Sequence, residues 1–305
     1  MTEKKKLLLL INPHAGKSAV RNKLLGIVDR FVKGGYEVSV YITQRSGELP
    51  DVVAKQAANF NMVVCSGGDG TLNETVNGLM RCETPPALGY IPAGTTNDFA
   101  ASFSLPRNME AAAEVAMEGQ LVYFDVGKFN NSYFAYVAAF GAFTDVPYVT
   151  PQETKNALGK LAYLLEGARR LPTIQAYPIR LEYDGGVIED DILVGVVSNS
   201  RYVAGLPMGE RNDASMCDGL MEVILVKKPG NALELTPLIN TFLMGEMESD
   251  LVYTFKTQSL HLHSEVPISW TLDGEYGGQR TDVIIENQKE ALGIMAPAEA
   301  SKTRR

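Results

Sequence analysis

Three glycines in four positions, Gly67-Gly68-Asp69-Gly70 followed by Thr71, expose successive backbone amides with no side chain in the way. The run Leu72, Asn73, Glu74, Thr75, Val76 then reads as a helix start, which adds positive potential for an anion. An aspartate in such a cradle repels phosphate unless a cation lies between, so Asp69 makes sense as the holder of a divalent ion, or of its water, beside a nucleotide. A dinucleotide fingerprint is the rival reading, but Asn73 stands where its third glycine belongs.

Two more glycine-bearing loops follow short apolar runs. Asn12-Pro13-His14-Ala15-Gly16-Lys17-Ser18 ends like a Walker A loop, yet Ile11 occupies the place of the opening glycine, so a P-loop is rejected. What survives is that Asn12 and Gly16 let amides approach a phosphate while Lys17 adds a point charge, or that the segment is an ordinary strand-to-helix turn. Pro92-Ala93-Gly94-Thr95-Thr96-Asn97-Asp98 offers hydroxyl and amide donors and a second carboxylate, Asp98, whose plainer role is a cap for a helix through Phe99 and Phe103. His261-x-His263 projects two imidazoles to one strand face with no third ligand in view. Gly-x-Ser-x-Gly and His-Glu-x-x-His are absent. Met208, Met216, Met221, Phe140 and Phe143 suit either a lipid groove or a core.

The elements that must position these groups change character along the chain. Up to about residue 125, short apolar runs (7–12, 36–42, 62–65, 87–91) alternate with helical periodicity, the pattern of a parallel sheet with crossover helices, whose ligands sit at the strand ends. The first helix is expected to bury Leu24, Val28, Phe31 and Val32, and the strand 36–42 to turn Val38, Val40 and Ile42 inward. Beyond, paired strands flank Asn130-Asn131 (122–129 with 133–140) and Asp184-Gly185-Gly186 (179–183 with 187–197), which predicts mainly antiparallel β structure. A helix over 158–170 interrupts it. Two domains result: residues 1–125, an α/β nucleotide-binding unit to which 291–305 return, and 126–290, a β-sandwich.

Composition narrows the classes. With 305 residues and 45% hydrophobic positions the chain can build such cores, which excludes disorder. Its formal net charge of −8 is the wrong sign for gripping nucleic acid by bulk charge. The apolar run after Lys4-Lys5-Lys6 is too short for a signal segment, and no run spans a bilayer. Cys65, Cys82 and Cys217 lack zinc-like spacing and suit a reducing, cytoplasmic setting.

Together, Asn12-Pro13, the Gly67-Gly68-Asp69-Gly70-Thr71 loop, Pro92-x-Gly94-Thr95-x-Asn97-Asp98, Asp125, Asp218-Gly219-Leu220 and Asp273-Gly274-Glu275 resemble the catalytic domain of diacylglycerol and related lipid kinases over roughly residues 5–297. The second loop alone is shared with NAD kinases and phosphofructokinases; the third loop and Asp273-Gly274-Glu275 favour the lipid branch. The resemblance implies an ATP- and Mg²⁺-dependent kinase with an NAD kinase/phosphofructokinase-like α/β domain and a β-sandwich, acting on a lipid hydroxyl, most simply that of diacylglycerol. It places ATP contacts on Asn12, Pro13, His14, Ala15 and Gly16, on Thr43, on Gly68, Asp69, Gly70, Thr71, Leu72, Asn73 and Glu74, and on Thr95. It makes Glu275 the general base and lets Asp69, Asp98 and Asp125 organise water and Mg²⁺. A structural Mg²⁺ falls on Ser215, Asp218 and Leu220, although Cys217 stands where the family favours an acid. The lipid would be met at the inner membrane surface, with Lys17, Arg21, Lys23, Lys160, Arg169 and Arg170 as local docking charges, and the β domain suits a homodimer. An NAD kinase-like enzyme and a non-catalytic nucleotide- or lipid-binding regulator are the alternatives.

Overall fold

A computed structural model describes residues 4–15, 19–94, 97–141, 175–200, 202–203, 206–207, 216–230 and 249–298. Gly16, Lys17, Thr95, Met208, Ser215, Phe143, and the expected helix 158–170 with Lys160, Arg169 and Arg170 lie outside them.

The first part runs β1 (Lys5–Ile11), α1 (Ala19–Lys33), β2 (Tyr36–Ile42), α2 (Leu49–Gln56), β3 (Met62–Gly67), α3 (Asp69–Leu79), β4 (Ala87–Pro92), α4 (Asp98–Ser102) and α5 (Met109–Glu118). Strands β2, β1, β3 and β4 pair parallel in that order. Leu7 to Leu10 are each almost wholly buried because helices cover both faces of this sheet. Leu8, Leu10, Val63 and Cys65 join one core with α3, while Leu7, Leu9, Ile11 and Val64 join another with α1 and α5.

Two inward faces differ from expectation. On α1 the buried residues are Val20, Ile27 and Phe31, whereas Val32 is exposed. On β2, Val40 and Ile42 are exposed: the strand is the sheet's edge, and it is buried only at Tyr36, whose ring meets Phe31 edge-on at 6.4 Å.

The second part contains β5 (Gln120–Phe129), β6 (Ser132–Phe134), β7 (Val137–Gly141), β8 (Tyr177–Tyr183), β9 (Gly186–Ser198), the small pair β10 (Tyr202–Val203) and β11 (Leu206–Pro207), β12 (Met221–Lys227), β13 (Val252–Thr257), β14 (Ser259–Leu272) and β15 (Glu275–Ala296). The expected single strand over 133–140 is broken into β6 and β7. The pairings among β5 to β9 and β12 to β15 are antiparallel around a core with Trp270 at its centre, 5.0 Å from Phe129 and 4.7 Å from Phe140 between ring centroids. Met216, Met221 and Phe140 are buried, taking the core alternative.

Both halves share one sheet of the described residues, because β15 pairs antiparallel with β14 and β5 and then runs parallel beside β4 through Ile294 and Leu88. β5 likewise runs unbroken across residue 125. These two strands bring the turn before Glu275 to the ends of the parallel strands.

Candidate functional site

The loops after β1, β3 and β4 are braced against one another before any ligand arrives. Asn12 donates its backbone N–H to Ser66 O at 3.0 Å and its side-chain amide to Thr71 Oγ1 at 3.1 Å, while its Oδ1 accepts the His14 N–H at 3.0 Å. The Thr43 N–H donates to Ile11 O at 2.9 Å, fixing the end of β2 beside that loop. The glycine loop is shorter than its sequence suggests. Gly68 is the extended N-cap of α3 and has no side chain to cap with, so Asp69, Gly70 and Thr71 already lie in the first helical turn with its amides uncapped. Gly94 sits so close that a side-chain carbon on it would come within 2.8 Å of the Gly68 backbone.

Asn97 clamps the third loop in a left-handed conformation, φ 53°. Its Oδ1 accepts the Gly94 N–H at 3.0 Å and lies 3.2 Å from the Tyr90 hydroxyl, its Nδ2 donates to Gly94 O at 2.8 Å, and its own N–H donates to Asp69 Oδ2 at 3.0 Å. The cap position of α4 therefore belongs to Asn97, and Asp98 is a buried first-turn residue. Burial pushes the Asp69 carboxyl up to about 7, with the charges of Asp98 and Asp273 adding to it and the Asn97 and Asp98 amides opposing. Asp69 Oδ1 is buried and has no hydrogen-bond partner among the described residues. A buried carboxyl oxygen left over in this way fits a divalent cation taking the place of its proton.

Glu275 arrives from the other half of the molecule. Asp273 (φ 50°) and Gly274 (φ 85°) make a two-residue hairpin turn between β14 and β15, with Leu272 paired to Glu275. Gly70 lacks a side chain where one is impossible without moving Glu275: an added Cβ would overlap Glu275 Oε1. Asp273 points the other way, into the protein, where its buried carboxylate accepts the N–H groups of Ala135, Tyr136 and Val137 and the Asn73 side chain. Ala135 and Tyr136 are the break between β6 and β7, and Val137 opens β7. Burial raises the Asp273 carboxyl and the four donors counteract it.

The cleft so formed holds about 400 Å³ and is lined by Asn12, His14, Ala15, Thr43, Gly68, Gly70, Thr71, Glu74 and Glu275, with Gly94, Gln44, Arg45, Ser46 and Leu49 as further walls. Pro13 lies with Arg21 on an adjoining hollow of about 370 Å³. Three of the expected contacts have side chains that also serve the fold, Glu74 while lining the cleft. Leu72 is core, Asn73 turns to Asp273, and Glu74 accepts the N–H groups of Gly47 and Leu49 at 2.8 and 3.3 Å, tying down the entry to α2. Sequence reasoning passed over Gln44, Arg45 and Ser46, and took Asn97 only as a donor of the third loop and Asp273 only as part of the Asp273-Gly274-Glu275 motif. Both Asp273 and Asn97 stand at positive φ, a conformation aspartate and asparagine tolerate, and that was their available signal.

The acidic charges that bear on Asp69 are those of Asp98 and Asp273, and the one that bears on Asp125 is Asp218. Asp125 is fully buried; Oδ1 accepts the Glu290 N–H at 2.8 Å, and Oδ2 accepts the Gly219 N–H at 2.7 Å and the Asn287 amide at 3.3 Å. Asp218 Oδ1 accepts the Leu220 N–H at 3.0 Å, and its other oxygen lies 4.0 Å from Lys256 Nζ. Beside it, Glu222 is buried and ion-paired, its Oε1 3.4 Å from Lys256 Nζ; burial pushes its carboxyl up to about 7, and the Lys256 charge opposes this. Around this loop the carboxylates of Asp125, Asp218 and Glu222 meet the Lys256 ammonium, and the Lys289 side chain lies against Gly219. His261 and His263 both face Asp282, at 2.8 and 3.1 Å, on an exposed sheet face, and no group of three ligating side chains set for a metal occurs among the described residues.

Comparison with known proteins adds two matches. The family described as diacylglycerol kinase catalytic domain matches residues 6–129, and that described as YegS C-terminal NAD kinase beta sandwich-like domain matches residues 144–296. The chain is 34% identical over 303 residues to a protein named diacylglycerol kinase from Bacillus subtilis (strain 168), covering 98% of each. It is 33% identical over 296 residues to one of the same name from Staphylococcus saprophyticus, covering 96% of each. A crystal structure described as a diacylglycerol kinase from Bacillus anthracis str. Sterne shares the fold, with a TM-score of 0.75 at 24% identity over 98% of this chain and 100% of that one.

Proposed function

Since the chain belongs to the diacylglycerol kinase family of phosphotransferases, we propose that it transfers the γ-phosphoryl group of ATP to the free hydroxyl of diacylglycerol, giving phosphatidic acid and ADP. The observation that carries this reading is Glu275 held against Gly70 in the first turn of an uncapped helix, which sets a carboxylate base beside a phosphate cradle contributed by the other half of the molecule.

In the reaction Glu275 takes the proton of the lipid hydroxyl as its oxygen attacks the γ-phosphorus, and the bond to the β-phosphate oxygen breaks in line. The amides of Gly70 and Thr71 and the side chain of Asn12 orient the triphosphate, while Thr43, Gln44 and Arg45 wall the nucleotide end. Asp69 and Asp98 would hold Mg²⁺, which supplies neutralisation of the phosphate charge. A second cation would rest on Asp218, the Leu220 carbonyl and Ser215. Asp125 acts from the junction, holding the Gly219 loop and the Glu290 bulge in register. The division into a nucleotide unit, residues 1–125 with the last strand returning, and a substrate unit, 126–290, follows from this assignment of parts. No helix among the described residues is long and apolar enough to cross a membrane, so lipid would be met at a membrane surface, where Arg21 on the rim beside His14 is a local anchor.

Labelled ATP offered to diacylglycerol-containing vesicles and, separately, to NAD⁺ tests this. Label is expected in phosphatidic acid, with Asp69→Ala and Glu275→Gln each lowering turnover about 100-fold or more. Label on NAD⁺, or turnover indifferent to both substitutions, overturns it.

A further inference from the structure

Asp273 is the most heavily bonded carboxylate near the cleft, yet it is turned away from the cleft. Its Oδ2 accepts the Ala135 N–H at 2.6 Å and Asn73 Nδ2 at 2.7 Å; its Oδ1 accepts the Tyr136 and Val137 N–H groups at 3.0 and 2.9 Å. Its own N–H donates to Val137 O at 2.8 Å. The turn does not require an acid here, since Asn-Gly supports the same two positive-φ residues at least as well. What requires one is the ring of donors: four N–H groups converge on two oxygens, and only an acceptor-only group satisfies all of them.

Two of the contacts lead back to chemistry. Asn73 lies one turn after Gly70 on α3, and Glu275 lies two residues after Asp273 with its carboxylate against Gly70. A closed circuit results, from Gly70 along the helix to Asn73, across to Asp273, through the tight turn to Glu275 and back to Gly70. Asn77 reinforces it, donating to Tyr133 O at 2.8 Å and accepting the Tyr133 N–H at 2.9 Å, so β6 and the amides that hold Asp273 are fastened to the same helix.

We infer that Asp273, with Asn73 as its partner, is a positioning residue that sets the Glu275 carboxylate over the phosphate-binding turn of α3. The inference rests on Glu275 being the base of the proposed reaction. It assigns Asp273 no contact with either substrate.

A double-mutant cycle on the full chain tests it, with kcat and KM for transfer from ATP to diacylglycerol, ATP affinity by calorimetry, and thermal unfolding measured for each variant. Asp273→Asn keeps a turn-compatible residue and is expected to lower kcat about 10- to 100-fold while changing ATP affinity less than about 3-fold. Added to Glu275→Gln, it is expected to cost less than about 2-fold more, because the group it positions is already gone. Asn73→Ala removes one donor without touching the turn; it is expected to lower kcat about 5-fold and to be equally silent in the Glu275→Gln background, and it carries the test if Asp273→Asn does not fold. Losses that multiply in the double variants, or that fall on ATP affinity in parallel with kcat, overturn the inference while leaving the kinase reading intact. A wild-type protein that transfers no phosphate to diacylglycerol overturns both.

Discussion

At the scale of single residues, Asp69 shows how the site is charged before it is loaded. Its carboxyl, buried beside Asp98 and Asp273, is pushed up to about 7 from 3.8. A raised acid is costly to the fold while ionised, so stability rises as pH falls through the folded value, because the native state takes up a proton that the unfolded chain accepts only near 3.8. In metal-free buffer the unfolding free energy is therefore expected to increase between pH 8 and pH 5 by an amount on the order of 2–4 kcal/mol from this group alone. Glu222, also pushed up to about 7, contributes with the same sign, so the comparison to make is with Asp69→Asn. That variant should lose part of the slope, and denaturant titrations at several pH values read the difference. Equal slopes in both proteins would show that Asp69 is not the group held protonated. The same arithmetic explains the orphaned Oδ1: a bound divalent ion would replace the proton and remove the penalty.

At the scale of elements, the first turn of α3 is the part where helix preference and function disagree. Gly70 costs helix stability relative to alanine, and its replacement by alanine is expected to hold or raise stability by up to about 1 kcal/mol. The added carbon meets only the mobile end of Glu275, so the fold can yield there, but the carboxylate cannot keep its place. Gly70→Ala should thus unfold no earlier than wild type while losing at least about 10-fold in kcat, a split that thermal melts and steady-state rates expose directly. Loss of both together would mean that the glycine serves the backbone. The composition of this turn was legible beforehand, since glycines after an apolar run with a lone acid among them mark the loop after β3, whereas Glu275 came from the family resemblance and Gln44, Arg45 and Ser46 carried no signal. What was not legible came from partners distant in sequence. The run over 133–140 reads as one strand, and only Asp273, more than a hundred residues away, holds the amides at and just after its break. Val40 and Ile42 alternate as inward residues should, and nothing local marks their strand as the sheet's edge. Asn73 and Glu74 sit in a phosphate-binding pattern, yet their side chains hold other elements.

At the scale of the whole molecule, the two halves are joined by continuous strands, and Asp125 stands where that continuity is most strained. β15 shifts register against β5 between Gln288 and Leu292, with Glu290 at φ 49°, just where it passes from the sandwich to the edge of the parallel sheet. The Asp125 carboxylate accepts the Glu290 N–H from this bulge, the Gly219 N–H from the loop beside Asp218 and the Asn287 amide, and its backbone carbonyl accepts the Asn199 side chain. Asp125→Ala would leave the buried Gly219 N–H, and the part-buried Glu290 N–H and Asn287 amide, without that acceptor, at a cost of about 1–3 kcal/mol. Asp125→Asn retains one acceptor oxygen and should fall between it and wild type. Trp270 is the single tryptophan and lies wholly buried in the sandwich core, so its fluorescence follows that half, whereas far-UV circular dichroism follows both. In the wild-type protein the two transitions should coincide, because unzipping β15 from β4 and β5 also frees the strand that pairs with β14. Without Asp125 the bulge loses what fixes it, and the dichroism change is expected to begin before the fluorescence change. An unchanged midpoint with coincident transitions would show that the strands alone join the halves, and that this acid's place at the junction has to be explained by the cleft.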